Sequence, residues 1–160
     1  MPKQFEIRPA HLTDCAQILD LIKELALYEK KPDAVETTVK DLEEALFVGS
    51  NTFNNQPACF AVVIDDQENP GQLSGFALYM LHFSTWTGKY GIYLEDLYVS
   101  PEARGQQIGK RLIEYVQQQA IHQHCSRLYW HTQESNHTAQ KLYDWIAKKP
   151  GFIEYRMPLN

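Results

Sequence analysis

The segment with the clearest chemical potential is residues 104–110, Arg-Gly-Gln-Gln-Ile-Gly-Lys, here called the 104–110 loop. Aromatic and apolar residues from Tyr93 to Val99 predict a strand before it, ended by Ser100-Pro101. Apolar residues spaced four apart predict an amphipathic helix from about Gln107, at Ile108, Leu112, Val116 and Ala120. Because the first N–H groups of a helix lack internal partners and carry partial positive charge, this loop is predicted to hold phosphates.

Two familiar phosphate-binding motifs are absent from the loop. A P-loop needs Gly-x4-Gly-Lys-Ser/Thr, but here Gly105 and Gly109 are four apart and Arg111 follows Lys110. The Gly-x-Gly-x-x-Gly pattern of dinucleotide-binding folds is also missing. On the motif alone, an ordinary strand–loop–helix junction with a basic rim remains an alternative to a phosphate site.

Two adjacent carboxylates, Glu95 and Asp96, lie in the strand before the loop. Side chains alternate along a strand, so they are predicted to point to opposite faces, and only one can face a substrate. The alternative for either is a structural carboxylate paired with a cross-strand cation. A second acidic group, near and along the first two helices, is mostly a solvated helix face: Glu29, Asp33, Glu36, Asp41, Glu43 and Glu44.

Composition excludes several classes of protein. The 160 residues suit one domain, 1–160, and 44% hydrophobic with 22% charged content is ordinary for a globular protein. A net charge of −5 argues against non-specific nucleic-acid binding and is compatible with a cationic substrate. No segment is apolar enough for a membrane span, and the N-terminus lacks an apolar signal core, so a cytoplasmic location is expected.

The cysteine and histidine pattern indicates no metal site. Cys15, Cys59 and Cys125 are widely spaced, which suits reduced thiols and gives no disulfide or zinc framework. His122-Gln-His124-Cys125 is the best candidate ligand set, but residues two apart on a helix face different ways, so it is interpreted as a solvated helix end.

The elements that must position these residues follow from periodicity and turn signals. Helices are predicted from a Thr13 cap to about Tyr28, from a Thr38-Val-Lys-Asp41 capping box, from about Gln107, and from an Asn136 cap to Pro150-Gly151. Strands are predicted at 5–8, 58–64, 72–83, 89–99, 127–132 and 152–157. Three strands joined by short turns imply an antiparallel meander, so one α+β domain is predicted.

The motif and this order of elements together resemble the GNAT superfamily of N-acetyltransferases. Arg104 to Gly109 resembles its Arg/Gln-x-x-Gly-x-Gly/Ala signature, whose loop grips the pyrophosphate of acetyl-coenzyme A. The resemblance is closest to the spermidine/spermine (diamine) acetyltransferase branch. Its marks are Ile22 to Glu29, Trp86-Thr-Gly-Lys89, Tyr93-Leu-Glu-Asp96 and Asn136 seven positions before Tyr143. The likeness covers nearly the whole chain and is weakest at 48–72 and after Trp145.

The resemblance implies acetyl-CoA as cosubstrate, with no metal. Its binding residues would be the main chain of Leu97, Tyr98 and Val99, the loop residues Arg104, Gly105, Gln106, Gln107, Ile108, Gly109 and Lys110, and Asn136. One position departs from the pattern, because the family usually has glycine where this chain has Gln107. A helical conformation, which glutamine adopts readily, is expected there, with a weaker grip on the pyrophosphate.

The resemblance also implies catalytic and substrate residues. Tyr143 would be the general acid that protonates the leaving thiolate, and its alternative is a core aromatic on the apolar face of the last helix. Glu95 would bind the ammonium or take its proton through a water. Tyr28-Glu29 would hold a distal ammonium of a diamine, with Trp86 and His131 touching substrate; each of the last two has plain packing as its alternative.

These observations predict a GNAT fold, with a mixed, mostly antiparallel sheet flanked by helices in three α/β/α layers. The predicted activity is direct acetyl transfer from acetyl-CoA, in a ternary complex, to a primary amine of a small polycation, diamine or lysine-like molecule. Alternatives are a protein or antibiotic amine, and a coenzyme A-binding module without turnover. The expected partner is this small molecule, with no nucleic acid or membrane, and the resemblance also implies a homodimer, because members of the family commonly dimerise.

Overall fold

The computed structural model describes residues 5–50 and 54–159, and its strands and helices follow the predicted order closely. Residues 1–4 belong to the N-terminal stretch that is expected to lack an apolar signal core, and they lie outside the described residues. Two compact units make up the chain, residues 1–130 and residues 131–160.

The first unit is built around a five-stranded sheet in the order β1-β2-β3-β4-β5. The strands are β1 (Phe5–Pro9), β2 (Phe60–Asp66), β3 (Leu73–Ser84), β4 (Lys89–Val99) and β5 (Leu128–Trp130). The first four pair antiparallel and β5 pairs parallel with β4, so the predicted mixed, mostly antiparallel sheet is confirmed.

Helices cover both faces of this sheet. They are α1 (Cys15–Tyr28), α2 (Val39–Glu43), which continues as a π-helical turn over Glu44–Val48, and α3 (Ile108–His122). The Thr38 hydroxyl accepts from the Asp41 N–H at 3.2 Å and the Asp41 carboxylate accepts from the Thr38 N–H at 2.8 Å, which is the predicted capping box.

The core divides between the two faces according to strand alternation. On one face α1 and α2 bury residues such as Ile18 and Leu42 against Val63, Phe76 and Leu78. The residues between these on the strands, such as Val62 and Ala77, are buried on the opposite face. There α3 contacts β3 and β4 and buries Ile108, Leu112, Ile113, Val116 and Ala120. The predicted three layers are therefore present.

The start of α1 differs from the prediction. A 3₁₀ turn, Leu12–Asp14, precedes α1, and the Asp14 carboxylate accepts the His11 N–H at 2.7 Å, so Thr13 is not the cap. Asp14 also pairs with Arg8 of β1 at 2.8 Å, and Arg8 pairs with Asp65 of β2 at 2.6 Å. Burial acts to raise the Asp14 pKa, but the hydrogen bonds from Arg8 and the His11 N–H, together with the positive charge of Arg8, outweigh it and hold that pKa below its usual value. The two carboxylates and Arg8 thus tie α1 to the sheet edge.

The second unit contains α4 (His137–Ile146) and an extended segment, residues 147–159, here called the C-terminal arm. The predicted strand at 152–157 is wrong, because none of these residues is hydrogen-bonded into a strand with any described residue. Its apolar side chains lie in solvent, with Ile153 77% and Tyr155 89% exposed. Alternating apolar residues predict a strand only where a neighbouring strand can pair with them.

Candidate active site

The 104–110 loop joins β4 to α3 through two residues in the left-handed region. Gly105 has φ +80° and Gln107 has φ +58° with ψ 22°. Gln107 is therefore the residue before α3 and not its first helical residue, and the expected helical conformation is wrong. Glycine is the least strained residue in the left-handed region, because it has no Cβ.

This loop presents free backbone donors. Within the described part of the chain, no carbonyl oxygen accepts the N–H groups from Gly105 to Gly109. A Cβ added at Gly105 or at Gly109 would meet nothing within 4 Å, so the surface over the loop is open. Unsatisfied N–H groups at the N-terminus of a 15-residue helix fit an anion such as a diphosphate.

The two basic side chains of the loop are engaged within the protein. Lys110 Nζ lies 2.8 Å from Glu114 Oε1, one turn along α3. The Arg104 Nε–H donates to the Val99 carbonyl at 2.9 Å. The Arg104 guanidinium also lies over two aromatic rings, 5.1 Å from the centroid of Tyr28 and 5.6 Å from that of Tyr98. Arg104 thus connects the loop to the end of α1, which the sequence did not indicate.

One edge of β4 is open next to this loop. β5 pairs only with Ile92, Tyr93 and Leu94, so the rest of β4 has no strand partner on that side within the described residues. The Ser100 N–H donates to Ser74 on the β3 side, and backbone groups alternate along a strand, so Leu97 and Val99 direct their N–H and C=O groups to the open edge. Tyr98 directs its main chain to β3.

A β-bulge decides where the two adjacent carboxylates point. Leu78 of β3 pairs with Asp96, but Tyr79 pairs with Leu94, so Glu95 is an extra residue on β4. Directly opposed residues share a face, and Asp96 therefore lies on the α1 face with Leu78. Glu95 lies on that face too, because Leu94 before it is on the α3 side with Tyr79. The prediction of opposite faces is wrong, since a bulge interrupts the alternation.

Three carboxylates consequently face the same region: Glu95 and Asp96 from β4 and Glu29 from the residue after α1, here called the acidic cluster. Burial in the first place, and then the negative charges of Glu95 and Glu29, raise the pKa of Asp96 to about 6. Burial and then the Glu95 charge also raise the pKa of the Cys59 thiol, which places Glu95 close to the start of β2. The cluster is a region of negative potential on the α1 side of the sheet.

The end of α1 is held against β4 by aromatic residues. The Tyr98 hydroxyl donates to Glu24 Oε2 at 3.0 Å. Tyr28 is the last residue of α1, and Glu29 follows it as a half-buried C-cap. Tyr28 is 49% exposed, so one part of its ring is free to contact a ligand while Arg104 lies over its face.

The remaining predicted site residues are Trp86, in the first unit, and His131, Asn136 and Tyr143, in the second unit. Trp86, in the turn between β3 and β4, is 98% exposed and does not pack in its turn. Asn136 caps α4, its Oδ1 accepting from the Ala139 N–H at 3.4 Å. Tyr143 is half-buried two turns later on that helix, and His131 is exposed at the start of the second unit. The roles of these four residues stay predictions.

The sequence matches the acetyltransferase (GNAT) family over residues 17–145. This chain belongs to the GNAT acetyltransferase family. It is 40% identical to a bovine thialysine N-epsilon-acetyltransferase over 142 residues, covering 86% of this chain and 79% of the relative. It is 39% identical to the human spermidine/spermine N(1)-acetyltransferase-like protein 1 over 128 residues, 79% of this chain and 18% of that longer protein. The predicted diamine acetyltransferase branch of the family is confirmed.

Solved structures agree with the family assignment. An integron cassette protein from the mobile metagenome of V. cholerae superposes with a TM-score of 0.75 at 26% identity, covering 98% of this chain and 93% of that one. The predicted GNAT fold is confirmed, and as a family member this protein is an acyltransferase.

In this acetyltransferase the first unit brings together most of the predicted site. Tyr28, Glu29, Glu95 and the 104–110 loop meet at the C-terminal half of β4. Sequence reasoning missed Asp96 as a member of the acidic cluster and missed the contact of Arg104 with Tyr28. The position of Asp96 depends on a one-residue offset between strands, and the contact of Arg104 depends on the direction of its side chain. Neither feature can be recognised from a pattern in the sequence.

The described residues contain neither a metal-binding cluster nor a membrane-spanning helix. Among the described residues, no group of three or more His, Cys, Asp or Glu side chains is arranged to hold a metal ion. No helix in the described part of this acetyltransferase combines the length and the apolar character needed to cross a membrane.

Proposed function

We propose that this acetyltransferase moves the acetyl group of acetyl-CoA to a primary amine of a small diamine, polyamine or lysine-like molecule by direct attack in a ternary complex. The observation that carries the proposal is the acidic cluster beside the 104–110 loop. A negative site next to an anion-binding loop suits a cationic amine acceptor and an anionic cofactor, each with its own complementary surface.

The 104–110 loop and the open edge of β4 fit acetyl-CoA. The free N–H groups from Gly105 to Gly109 and the α3 N-terminus would bind the diphosphate, with Arg104, Gln106 and Lys110 at the rim. The main chain of Leu97 and Val99 would bind the pantetheine arm and the acetyl oxygen. When bound, the cofactor supplies an acyl group activated as a thioester.

The acidic cluster would hold and deprotonate the acceptor. A free alkylammonium has a pKa of about 10.4, so it must lose a proton before its nitrogen can attack. Glu95 is proposed to bind this ammonium and to take its proton, directly or through a water. Glu29 would bind the second ammonium of a diamine, which favours diamines over monoamines. Tyr28 and Trp86 would pack on the aliphatic stem.

Tyr143 is proposed to be the general acid. Tyr143 would protonate the departing thiolate, since a phenol of pKa about 10 can do so within hydrogen-bond reach. Asn136 would contact the cofactor, and His131 would contact the substrate. These three assignments rest on the family resemblance.

The relatives narrow the acceptor class. Their names refer to thialysine and to spermidine and spermine, which carry more than one amino group. The net charge of −5 agrees with a cationic acceptor and with no nucleic-acid partner. A cytoplasmic location remains part of the proposal.

A homodimer is proposed as the working form. The C-terminal arm leaves an apolar row in solvent, Ile153, Tyr155, Met157 and Leu159, while Glu154 and Arg156 pair on its other side at 2.5 Å. Such an alternating segment is stable once it pairs with a sheet edge, and a second copy of the chain can provide one. Light scattering should give twice the mass of 18.5 kDa, and removal of residues 152–159 should give the monomer.

The test of the proposed activity is thiol release from acetyl-CoA with a panel of amines. The panel pairs a linear triamine and a lysine analogue with a monoamine of equal length, a lysine-containing peptide and an aminoglycoside. We expect turnover with the triamine and the lysine analogue, and much lower kcat/KM with the other three. Turnover confined to the peptide or the aminoglycoside would overturn the acceptor class.

One observation favours a second candidate, a coenzyme A-binding module without turnover. Gln107 is left-handed where glycine is usual, so its side chain stands on the rim that the diphosphate must approach. Thermal stabilisation by coenzyme A together with no thiol release from any amine would support this module over the enzyme.

A further inference from the structure

The position of Arg104 gives it a role beyond binding phosphate. Its guanidinium carbon lies 5.1 Å from the centroid of the Tyr28 ring and 5.6 Å from that of Tyr98, and its Nε–H donates to the Val99 carbonyl at 2.9 Å. The Arg104 side chain also hydrogen-bonds to Tyr98. A guanidinium stacks through its faces and donates hydrogen bonds only in its plane. Of the five guanidinium N–H groups, Nε–H bonds to Val99 and another bonds to Tyr98, so the others are available for an anion at the loop.

Tyr28 is next in sequence to Glu29, the carboxylate proposed to bind the second ammonium of the substrate. Tyr28 ends α1 and Glu29 is the next residue, so the ring and that carboxylate share one short piece of backbone. Tyr98 anchors the other side of the stack, because it is buried and its hydroxyl bonds to Glu24 at 3.0 Å, one turn back on α1. Tyr28 itself is half exposed and depends on Arg104 for the cover over its face.

We propose that Arg104 is a positioning residue that links occupancy of the 104–110 loop to the amine-binding end of α1. An anion held in the guanidinium plane fixes the orientation of Arg104, and its face then fixes Tyr28 and, through the backbone, Glu29. The diphosphate of coenzyme A and a diamine therefore bind with positive coupling, each raising the affinity for the other by the same factor. This inference rests on the proposed function, because it takes the anion to be that diphosphate.

Two of the variants that test this link change Tyr28 and leave the 104–110 loop intact, and a third changes Arg104 within the loop. Tyr28→Leu removes the ring that Arg104 covers, and Tyr28→Phe keeps it. Arg104→Lys keeps the positive charge but has no flat face to stack. Tyr90→Leu is the control, since Tyr90 is an exposed tyrosine on β4 that packs on Phe83 instead.

The first measurement is hydrogen–deuterium exchange at residues 25–31 with and without coenzyme A. We expect coenzyme A to slow exchange there in the natural protein, in Tyr28→Phe and in Tyr90→Leu. In Tyr28→Leu and Arg104→Lys the slowing should be lost, while Tyr28→Leu still binds coenzyme A within about threefold. Slowing that survives in a folded Tyr28→Leu would overturn the link, as would coenzyme A binding to the natural protein without any slowing.

The second measurement is the affinity for spermidine with and without coenzyme A by titration calorimetry. We expect coenzyme A to tighten spermidine binding by about fivefold or more in the natural protein and by less than twofold in Tyr28→Leu. Slowed exchange at residues 25–31 without turnover of any amine would refute the proposed activity and leave the link standing. Equal coupling in Tyr28→Leu and Tyr28→Phe would refute the link and leave the activity standing.

Discussion

Glu95 and Asp96 are neighbours in sequence and lie on the same face of the sheet, because β4 carries one extra residue opposite the step from Leu78 to Tyr79. If side chains alternated regularly along β4, one of the two would lie on the face of the sheet that α3 covers. The bulge brings both into the region of Glu29, so that three carboxylates lie close together. Bulges are common next to active sites because they redirect side chains in this way.

The first prediction concerns the stability of the free protein. Burial and the nearby carboxylates raise the Asp96 pKa to about 6, above the value of about 3.9 in an unfolded chain. The folded state thus holds the proton more tightly, and ionisation of Asp96 costs stability as the pH rises from about 4 through 6. Asp96→Asn should be more stable than the natural protein at pH 8 by about 1 to 3 kcal/mol, and this difference should fall to about 0.5 kcal/mol or less at pH 4. Urea unfolding at both pH values measures it, and a pH-independent difference would contradict it.

The second prediction concerns Gln107. A non-glycine residue in the left-handed region destabilises the folded state by about 1 to 2 kcal/mol. Glycine removes this strain, but the greater backbone freedom of glycine in the unfolded chain offsets about 0.5 to 1 kcal/mol of the stabilisation. Gln107→Gly should therefore stabilise the protein by about 0.5 to 1 kcal/mol. Gln107→Ala is the matched control, because it keeps the strain and removes the side-chain bulk. If the bulk obstructs the diphosphate, both variants bind coenzyme A more tightly, while only the glycine variant gains stability in thermal unfolding.

The third prediction concerns recognition of the second ammonium. Glu29→Gln should raise the KM for a triamine about tenfold or more and change the KM for a monoamine by less than about twofold, because only the longer substrate reaches that carboxylate. Steady-state thiol release with both amines gives the comparison. Glu102→Gln, at an exposed glutamate in the turn after β4, should leave both values unchanged. Equal effects of Glu29→Gln on the two amines would remove Glu29 from substrate recognition.

The fourth prediction concerns the leaving group. Tyr143→Phe should lower kcat about 100-fold, because the thiolate loses its proton donor, while the affinity for coenzyme A stays within about twofold. Tyr90→Phe, at an exposed tyrosine of β4, is the control and should retain full kcat. An unchanged kcat in Tyr143→Phe would mean that another group, or water, protonates the thiolate.

Local signals predicted most of the secondary structure. The strand at 89–99 has the predicted bounds, and the Thr38 and Asn136 caps begin helices as expected. These features depend on residues within one turn or one strand of each other, so their physical causes are visible in the sequence. The strand at 152–157 failed because a strand also needs a partner, and the sequence does not say which edge is available.

The sequence by itself determined the type of chemistry: a glycine-containing basic loop before a helix, acidic residues on the preceding strand, and the order of strands and helices typical of GNAT acetyltransferases. Only the tertiary structure decided that Glu95 and Asp96 share a face, that Gln107 is left-handed, and that Arg104 covers Tyr28. Each of these depends on strand register or on contacts between residues far apart in the chain. A sequence specifies such contacts only through the whole fold, because packing free energy is shared among all the residues that meet there.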